Sequence, residues 1–314
     1  MRTNSNKQKV KRDKKQAIKK NLLTNWQLYL FLAPAIIYFI LFHYIPMYGV
    51  QIAFKDFYAD LGIWGSPWAG VKHFERFFNA YYFWRLIKNT ILLSAYQLIL
   101  FPLPIILALS LNEVKDGLFK RWTQTITYAP HFISVVVIVG MIVIFLDPVN
   151  GIVNNALKLL GFDSIQFLTS PKWFRHVFVW SGVWQTLGWN SIIYLAALAG
   201  VNPELHEAAK IDGASTFQRI IYINIPSILP TVVILFILNI GSFMTIGFEK
   251  ILLMQNSLNA SASDVIQTFV YETGLLEGQH SFAAAVGLFD SVINLILLVT
   301  FNYIARKTTD NSLW

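Results

Sequence analysis

Apolar runs near residues 27–45, 86–111, 130–146, 177–200, 228–248 and 283–305 constrain this chain more than any other feature of it. Hydrocarbon offers no water to backbone amides, so a segment that crosses it must satisfy its own N–H and C=O groups, as an α-helix does. About 20 residues, each rising about 1.5 Å, cover the roughly 30 Å of a bilayer core. The runs therefore predict an all-α integral membrane protein with about six transmembrane helices. A soluble globule is excluded by surface: with 55% apolar and 13% charged residues in 314, there are too few polar side chains to cover one. Pro34, Pro46, Pro102 and Pro104 interrupt the runs, and kinks are expected there. The first run has too long an apolar part, and no small-residue cleavage pattern, for a signal peptide; it reads as an anchor.

If the runs alternate across the bilayer, most of the 25 Lys and Arg share a side with the N-terminus. They lie in the tail from Met1 to Lys20, at Lys115, Lys120 and Arg121, at Lys210 and Arg219, and at Arg306 and Lys307. The bias predicts cytoplasmic N- and C-termini. The remaining bases, Lys250 in the 249–282 loop among them, fall outside with enough acids to match them, so the inner side carries the net charge of +8. The tail reads as a lipid-binding, topology-setting segment, since juxtamembrane bases gain about 1 kcal/mol each near anionic lipid. Without interleaved aromatics it implies no nucleic acid.

Bond chemistry finds little support. There is no cysteine, which removes disulfides, thiolate catalysis and cysteine-ligated metal together. The histidines are scattered, with no i, i+4 pair and no HExxH, so neither catalytic residues nor metal ligands are predicted. A GxxxxGK[ST] loop is also absent, so the chain is not an ATPase.

Between the fourth and fifth runs stands a polar segment, EAAKIDGASTFQRIIYINIPSILP, from Glu207 to Pro230. Asn202 is placed to cap a helix that Pro203 begins, and Glu204 and Glu207 suit its positive end. Asp212-Gly213 stops it, Ser215 and Gln218 have capping-box spacing for a second helix, and Pro226 and Pro230 lead into the next run. Such a helix can lie on lipid. Ala208 and Ala209 give little apolar area for that, while small side chains allow another protein close approach.

Within the runs, Gln185, Trp189, Asn190, Tyr194, Asn239, Ser242, Phe243 and Asn294 offer neutral hydrogen-bonding groups beside aromatic faces. Sugars suit that combination, because hydroxyls pair with amides and ring C–H faces stack on aromatics. Asn239 and Phe243 are one helical turn apart and can face one cavity. The plainer reading is that Asn and Ser join helices, at about 0.6 kcal/mol per contact, and that Trp189 packs. Asp290 is the one clear intramembrane acid; with no second buried charge to share a relay, it reads as bundle-facing or as paired with a partner subunit. The aromatics of residues 55–85 read as interfacial anchors, some of them capping an outer mouth.

Glu207, Ala208, Ala209 and Gly213 match a signature that reads EAA, three residues, then G. On these residues the chain resembles the permease subunits of binding-protein-dependent ABC importers. Asp212, Ala214, Gln218, Arg219, Ile223, Pro226 and Pro230 extend the likeness to the carbohydrate-uptake branch, of oligosaccharide or polysaccharide type. Phe217 replaces its usual tryptophan. Phe83, Trp84, Asn89 and Thr90, the stretch Ala129-Pro130-His131-Phe132-Ile133-Ser134, and Gly188-Trp189-Asn190 carry it further.

The resemblance implies an ABC importer type I permease fold in a bacterial inner, or cytoplasmic, membrane. Its expected divisions are a basic cytoplasmic tail (1–25), an anchoring span with outer loop (26–84) and a permease core (85–314) whose coupling loop is 201–226. It implies a non-catalytic subunit forming half of the translocation path for a sugar, an oligosaccharide in particular. No cofactor is implied on this chain; ATP and Mg belong to the partner ATPase. Expected partners are a second homologous permease, two cytoplasmic ATPase subunits, an extracytoplasmic solute-binding protein and membrane lipid. Glu207, Ala208, Ala209, Asp212, Gly213 and Phe217 would dock on the ATPase, with Glu207 as charged contact or cap, Gly213 as the bend and Phe217 packed beneath. The fourth span and the span after the signature would line the path. Two alternatives stay open: an ion-coupled secondary carrier, and an ABC permease for a non-sugar solute.

Overall fold

The computed structural model describes residues 24–309 and 311–314; the basic tail from Met1 to Lys20 lies outside the described residues. Among the described residues there is no β-strand, only an isolated antiparallel bridge between Lys55 and Trp68. The chain divides between Gly70 and Val71 into two compact units.

The first unit is led by one continuous helical segment, Trp26–Phe54, which opens with α1 (Trp26–Phe39). No side chain of α1 is buried within its unit. A helix that is apolar all round and uncovered by protein suits lipid. Pro34 lies inside α1, and a π-turn at Ile40–Tyr44 precedes Pro46. A proline ring presses on the carbonyl four residues back, here Phe42, and the wider π-turn gives that carbonyl room. The same solution recurs in the second unit, where a π-turn at Ile220–Asn224 precedes Pro226.

The second unit begins its long helices with α2 (Phe83–Ile99) and α3 (Pro102–Glu113), one span interrupted at residues 100–101, just before Pro102. Then come α4 (Leu118–Tyr128), α5 (Val135–Phe145), the 29-residue α6 (Pro171–Ala199), α7 (Pro203–Ile211) and α8 (Thr216–Arg219). The chain finishes through α9 (Ile225–Gly241), α10 (Phe248–Met254), α11 (Ile266–Tyr271) and α12 (His280–Thr309). α6 packs along α3 with α4 and α9 at its flanks, and α9 packs on α12.

Among the described residues, four helical segments are long and apolar enough to cross a membrane: Trp26–Phe54, Phe83–Glu113, Thr216–Gly241 and His280–Thr309. The run expected at 130–146 is not a straight span. Pro130 sits in a short 3-10 turn, Ser134 caps a new helix by accepting from the Val137 N–H, and the two helical pieces meet at a 102° bend. Counting this bent pair as one span gives five. α6 occupies the run expected at 177–200 and has the length, about 43 Å, but Gln185, Asn190 and its serines and glycines keep it outside an apolar count.

Three apolar clusters form the core. Leu93, Phe174, Phe178, Val179 and Ile251 anchor one, Ala108, Leu109, Tyr194, Leu198 and Ile228 another, and Phe77, Leu86, Met244, Ile266 and Phe282 the third. Phe77 corrects the reading of the 55–85 aromatics as interfacial. It is fully buried against Phe83 and Phe289, whereas Tyr81 and Trp84 do stay exposed. Asn89 and Thr90 tie α2 to the chain before α11. Asn89 donates to the Ser261 and Asp264 carbonyls and accepts from Arg175, Thr90 accepts the Ile266 N–H, and Arg85 pairs with Asp264 at 2.9 Å.

Candidate translocation cavity and coupling loop

α7 starts where the local chemistry demands. The Asn202 side chain accepts the Glu204 N–H at 3.0 Å with Pro203 in the first turn. At its end, Gly213 takes φ +79°, the Gly213 N–H donates to the Lys210 carbonyl at 3.1 Å and the Ala214 N–H to the Ala209 carbonyl at 2.8 Å. This pair of bonds around a left-handed glycine is a Schellman stop. Ser215 then caps α8: Ser215 Oγ accepts the Gln218 N–H and Gln218 Oε1 accepts the Ser215 N–H, the reciprocal box read from the spacing.

α8, the π-turn and α9 run on as one 26-residue helical segment, so the loop is continuous with a span. A second tie crosses to α3, where Glu113 accepts from Arg219 at 3.5 Å and from Asn224 at 3.2 Å. Glu207, Ala208, Asp212 and Gly213 are exposed and Ala209 is half-buried. Phe217 departs from expectation. It is 70% exposed rather than packed beneath, and Ile211 is 86% exposed.

A cavity of about 920 Å³ opens between the α2–α3 break, α6, α9 and the chain leading into α10. Gln185, Trp189, Asn190, Tyr194, Asn239, Ser242 and Phe243 all line it. Trp189 is backed by His131, stacked at 4.3 Å with 4° between the planes, which fixes the indole as a flat wall. Gln185 donates to the Ile133 carbonyl at 3.2 Å, and Asn239 to the Leu235 carbonyl of its own helix at 2.9 Å. Tyr194 borders the cavity but is 3% exposed and belongs to the core.

Asn294 is brought elsewhere. It accepts the Met244 N–H at 2.8 Å and donates to Thr245 Oγ1 at 3.2 Å, bracing from α12 the turn that ends α9. Removing it leaves a buried N–H without an acceptor, a loss of about 1–3 kcal/mol. Asn294→Ala is therefore expected to lower the melting temperature of the detergent-solubilised protein while its cargo preference stays unchanged; an altered preference at unchanged melting temperature would reverse that role.

Residues that the sequence reading passed over also line the cavity. Ser94 and Gln97 do so from α2, where the signal used for the later runs, a polar residue within an apolar stretch, was available. Lys250 corrects its place among the outer-loop bases. It is 7% exposed, lines the cavity and donates to the Phe178 carbonyl at 3.0 Å. Burial pushes its ammonium down to about 8, which leaves it mostly protonated at neutral pH. Asp290 is thus not alone as a buried charge. It lines a separate, mainly apolar cavity of about 790 Å³ beside α11 and α12, and its Oδ1 has no hydrogen-bond partner among the described residues.

Comparison with known proteins follows the same lines. A family model described as "Binding-protein-dependent transport system inner membrane component" matches residues 101–310. Protein LplB of Bacillus subtilis (strain 168) is 44% identical over 288 residues, 91% of each chain. The polygalacturonan/rhamnogalacturonan transport system permease protein YteP of the same organism is 41% identical over 305 residues, 97% of this chain and 95% of that one. Among solved structures, the crystal structure of a bacterial ABC transporter involved in import of the acidic polysaccharide alginate includes a chain that superimposes with a TM-score of 0.86. It is 40% identical, with 93% of this chain and 99% of that one covered.

Proposed function

We infer the function from one premise: this chain belongs to the family of binding-protein-dependent transport system inner membrane components. It is an integral membrane permease subunit, and its role is passage rather than bond chemistry. We propose that it forms half of the path for an oligosaccharide, completed by a second homologous permease. The observation that carries this reading is the 920 Å³ cavity, whose walls combine neutral amides and hydroxyls with the Trp189 and Phe243 rings. Amides match sugar hydroxyls and a flat indole matches a pyranose face. The names of YteP and of the alginate transporter support a glycan cargo.

The rest of the proposed assembly is two cytoplasmic ATPases, which bind ATP and Mg²⁺, and an extracytoplasmic solute-binding protein. The basic tail (1–25) would set the N-terminus in the cytoplasm, with the C-terminus on the same side, residues 26–84 would anchor, and 85–314 would form the path. Closure of the ATPases on ATP would displace α7, and the helix running from α8 into α9 would carry that displacement to the cavity wall. An ion-coupled carrier would need a charge relay, whereas Asp290 and Lys250 line separate cavities and Glu249, in the cavity of Lys250, makes no ion pair with it among the described residues.

Uptake of labelled neutral and acidic oligosaccharides by cells with and without this chain tests the proposal. Loss of one glycan class on deletion, restored by the wild-type gene and not by Glu207→Ala at equal membrane abundance, is the expected result. Unchanged uptake across the panel would reject it.

A further inference from the structure

Lys250 and Glu249 are the two charges in a cavity otherwise lined by neutral side chains, and of the two only Lys250 is buried. It reaches in from α10 to α6, where a Cβ at Gly182 would stand 3.5 Å from the Lys250 ammonium, at ordinary contact distance. The ammonium donates to the Phe178 carbonyl at 3.0 Å and lies 5.2 Å from the centre of the Phe178 ring. An ammonium has three donors, and this single carbonyl takes one of them. No carboxylate comes within ion-pair distance among the described residues; Glu249, next in the chain and exposed, lines the same cavity without pairing with it. A buried charge is ordinarily paired, because taking an ammonium out of water costs several kcal/mol. Neither the Phe178 carbonyl nor the ring supplies a counter-charge. Every other side chain lining this cavity apart from Glu249 is neutral.

We propose that Lys250 binds a carboxylate of the cargo, so that the path is specific for oligosaccharides bearing acidic groups of the uronate kind. The hydroxyls and ring faces of such a cargo meet the amides and Trp189, and its carboxylate supplies the missing counter-charge to the two free N–H donors. A charge-assisted bond of this kind is roughly twice as strong as a neutral one, so Lys250 discriminates between a uronate and its ester. This inference rests on the glycan-path reading above and adds the charge of the cargo to it.

The test uses the assembled importer in proteoliposomes with its binding protein saturated by either of two ligands, a galacturonate trisaccharide or its methyl ester. The ester keeps the rings and hydroxyls and lacks the charge, and saturation removes the preference of the binding protein from the comparison. Lys250→Met keeps the length of the side chain and loses its charge, while Lys250→Arg keeps the charge. Lys250→Met is expected to slow acid uptake about tenfold or more and to change ester uptake less than about twofold, with Lys250→Arg retaining the preference for acid. Equal losses on acid and ester in Lys250→Met would make Lys250 a packing residue and overturn the proposal. Wild-type transport of the ester but not the acid, or of neither, would overturn it while leaving the glycan path to the uptake panel above.

Discussion

Replacing Gly213 by proline is expected to leave the chain in the membrane and the complex hydrolysing ATP, while solute moved per ATP falls at least about tenfold. The physical reason lies in the stop of α7. Gly213 holds φ at +79° and gives its N–H to Lys210; proline fixes φ near −65° and has no N–H to give, a loss of about 3 kcal/mol or more. Both bonds of the Schellman stop are then lost, and α7 no longer leaves α8 at its present angle. The spans keep their own ladders, so insertion survives. A coupling free energy of about 1–3 kcal/mol corresponds to about 5- to 150-fold, which sets the scale of the fall. Gly213→Ala separates conformation from bulk: a Cβ there meets nothing within 4 Å, so only the left-handed strain, about 1–2 kcal/mol, remains, and an intermediate effect is expected. ATPase and uptake measured on the same reconstituted complex decide it. A proline variant with the wild-type ratio would mean that this turn does not transmit work.

The second large effect is expected at Gly188, and it is a loss of the protein rather than of its coupling. A Cβ at Gly188 would fall on the Thr127 carbonyl group and against the Tyr128 ring, where α6 crosses α4. Backbone atoms cannot rotate aside as a side chain can. Gly188→Val should therefore destabilise by about 1–3 kcal/mol or more, read as reduced membrane abundance and a lower melting temperature in detergent. Gly140→Ala is the matched control, because a Cβ there meets nothing within 4 Å, and it should be neutral. A Gly188→Val protein as abundant and as heat-stable as wild type would show that the two helices separate without loss.

What could be read from the residues follows the range of the interactions involved. Apolar length needs only hydrocarbon as its partner, so the helical membrane class was legible before any packing was known. The loop was legible for a related reason. The Asn202 cap, the Ser215–Gln218 box and the Asp212-Gly213 stop all close within five residues, so no distant part of the chain could alter them.

Other readings depended on contacts across the chain and were not legible. Asn239 and Asn294 look alike as amides in apolar runs, yet one lines the cavity and the other braces residues 50 positions away. Phe77 could not be told from its aromatic neighbours until Phe289 and Phe83 closed around it. The 130–146 run looked like a span, and the bend at 102° appears only when α5 is seen to start afresh from its Ser134 cap.

Helix identity, the membrane environment and the shape of the loop from Asn202 to Arg219 were thus determined by the sequence alone, since each is set by solvent or by near neighbours. The rotation of each helix about its axis was decided only by tertiary packing, and with it the face that reaches the cavity. Lys250 shows why: its burial depends on a carbonyl 72 residues earlier in the chain, and no local pattern marks a charge whose environment is built by a distant helix.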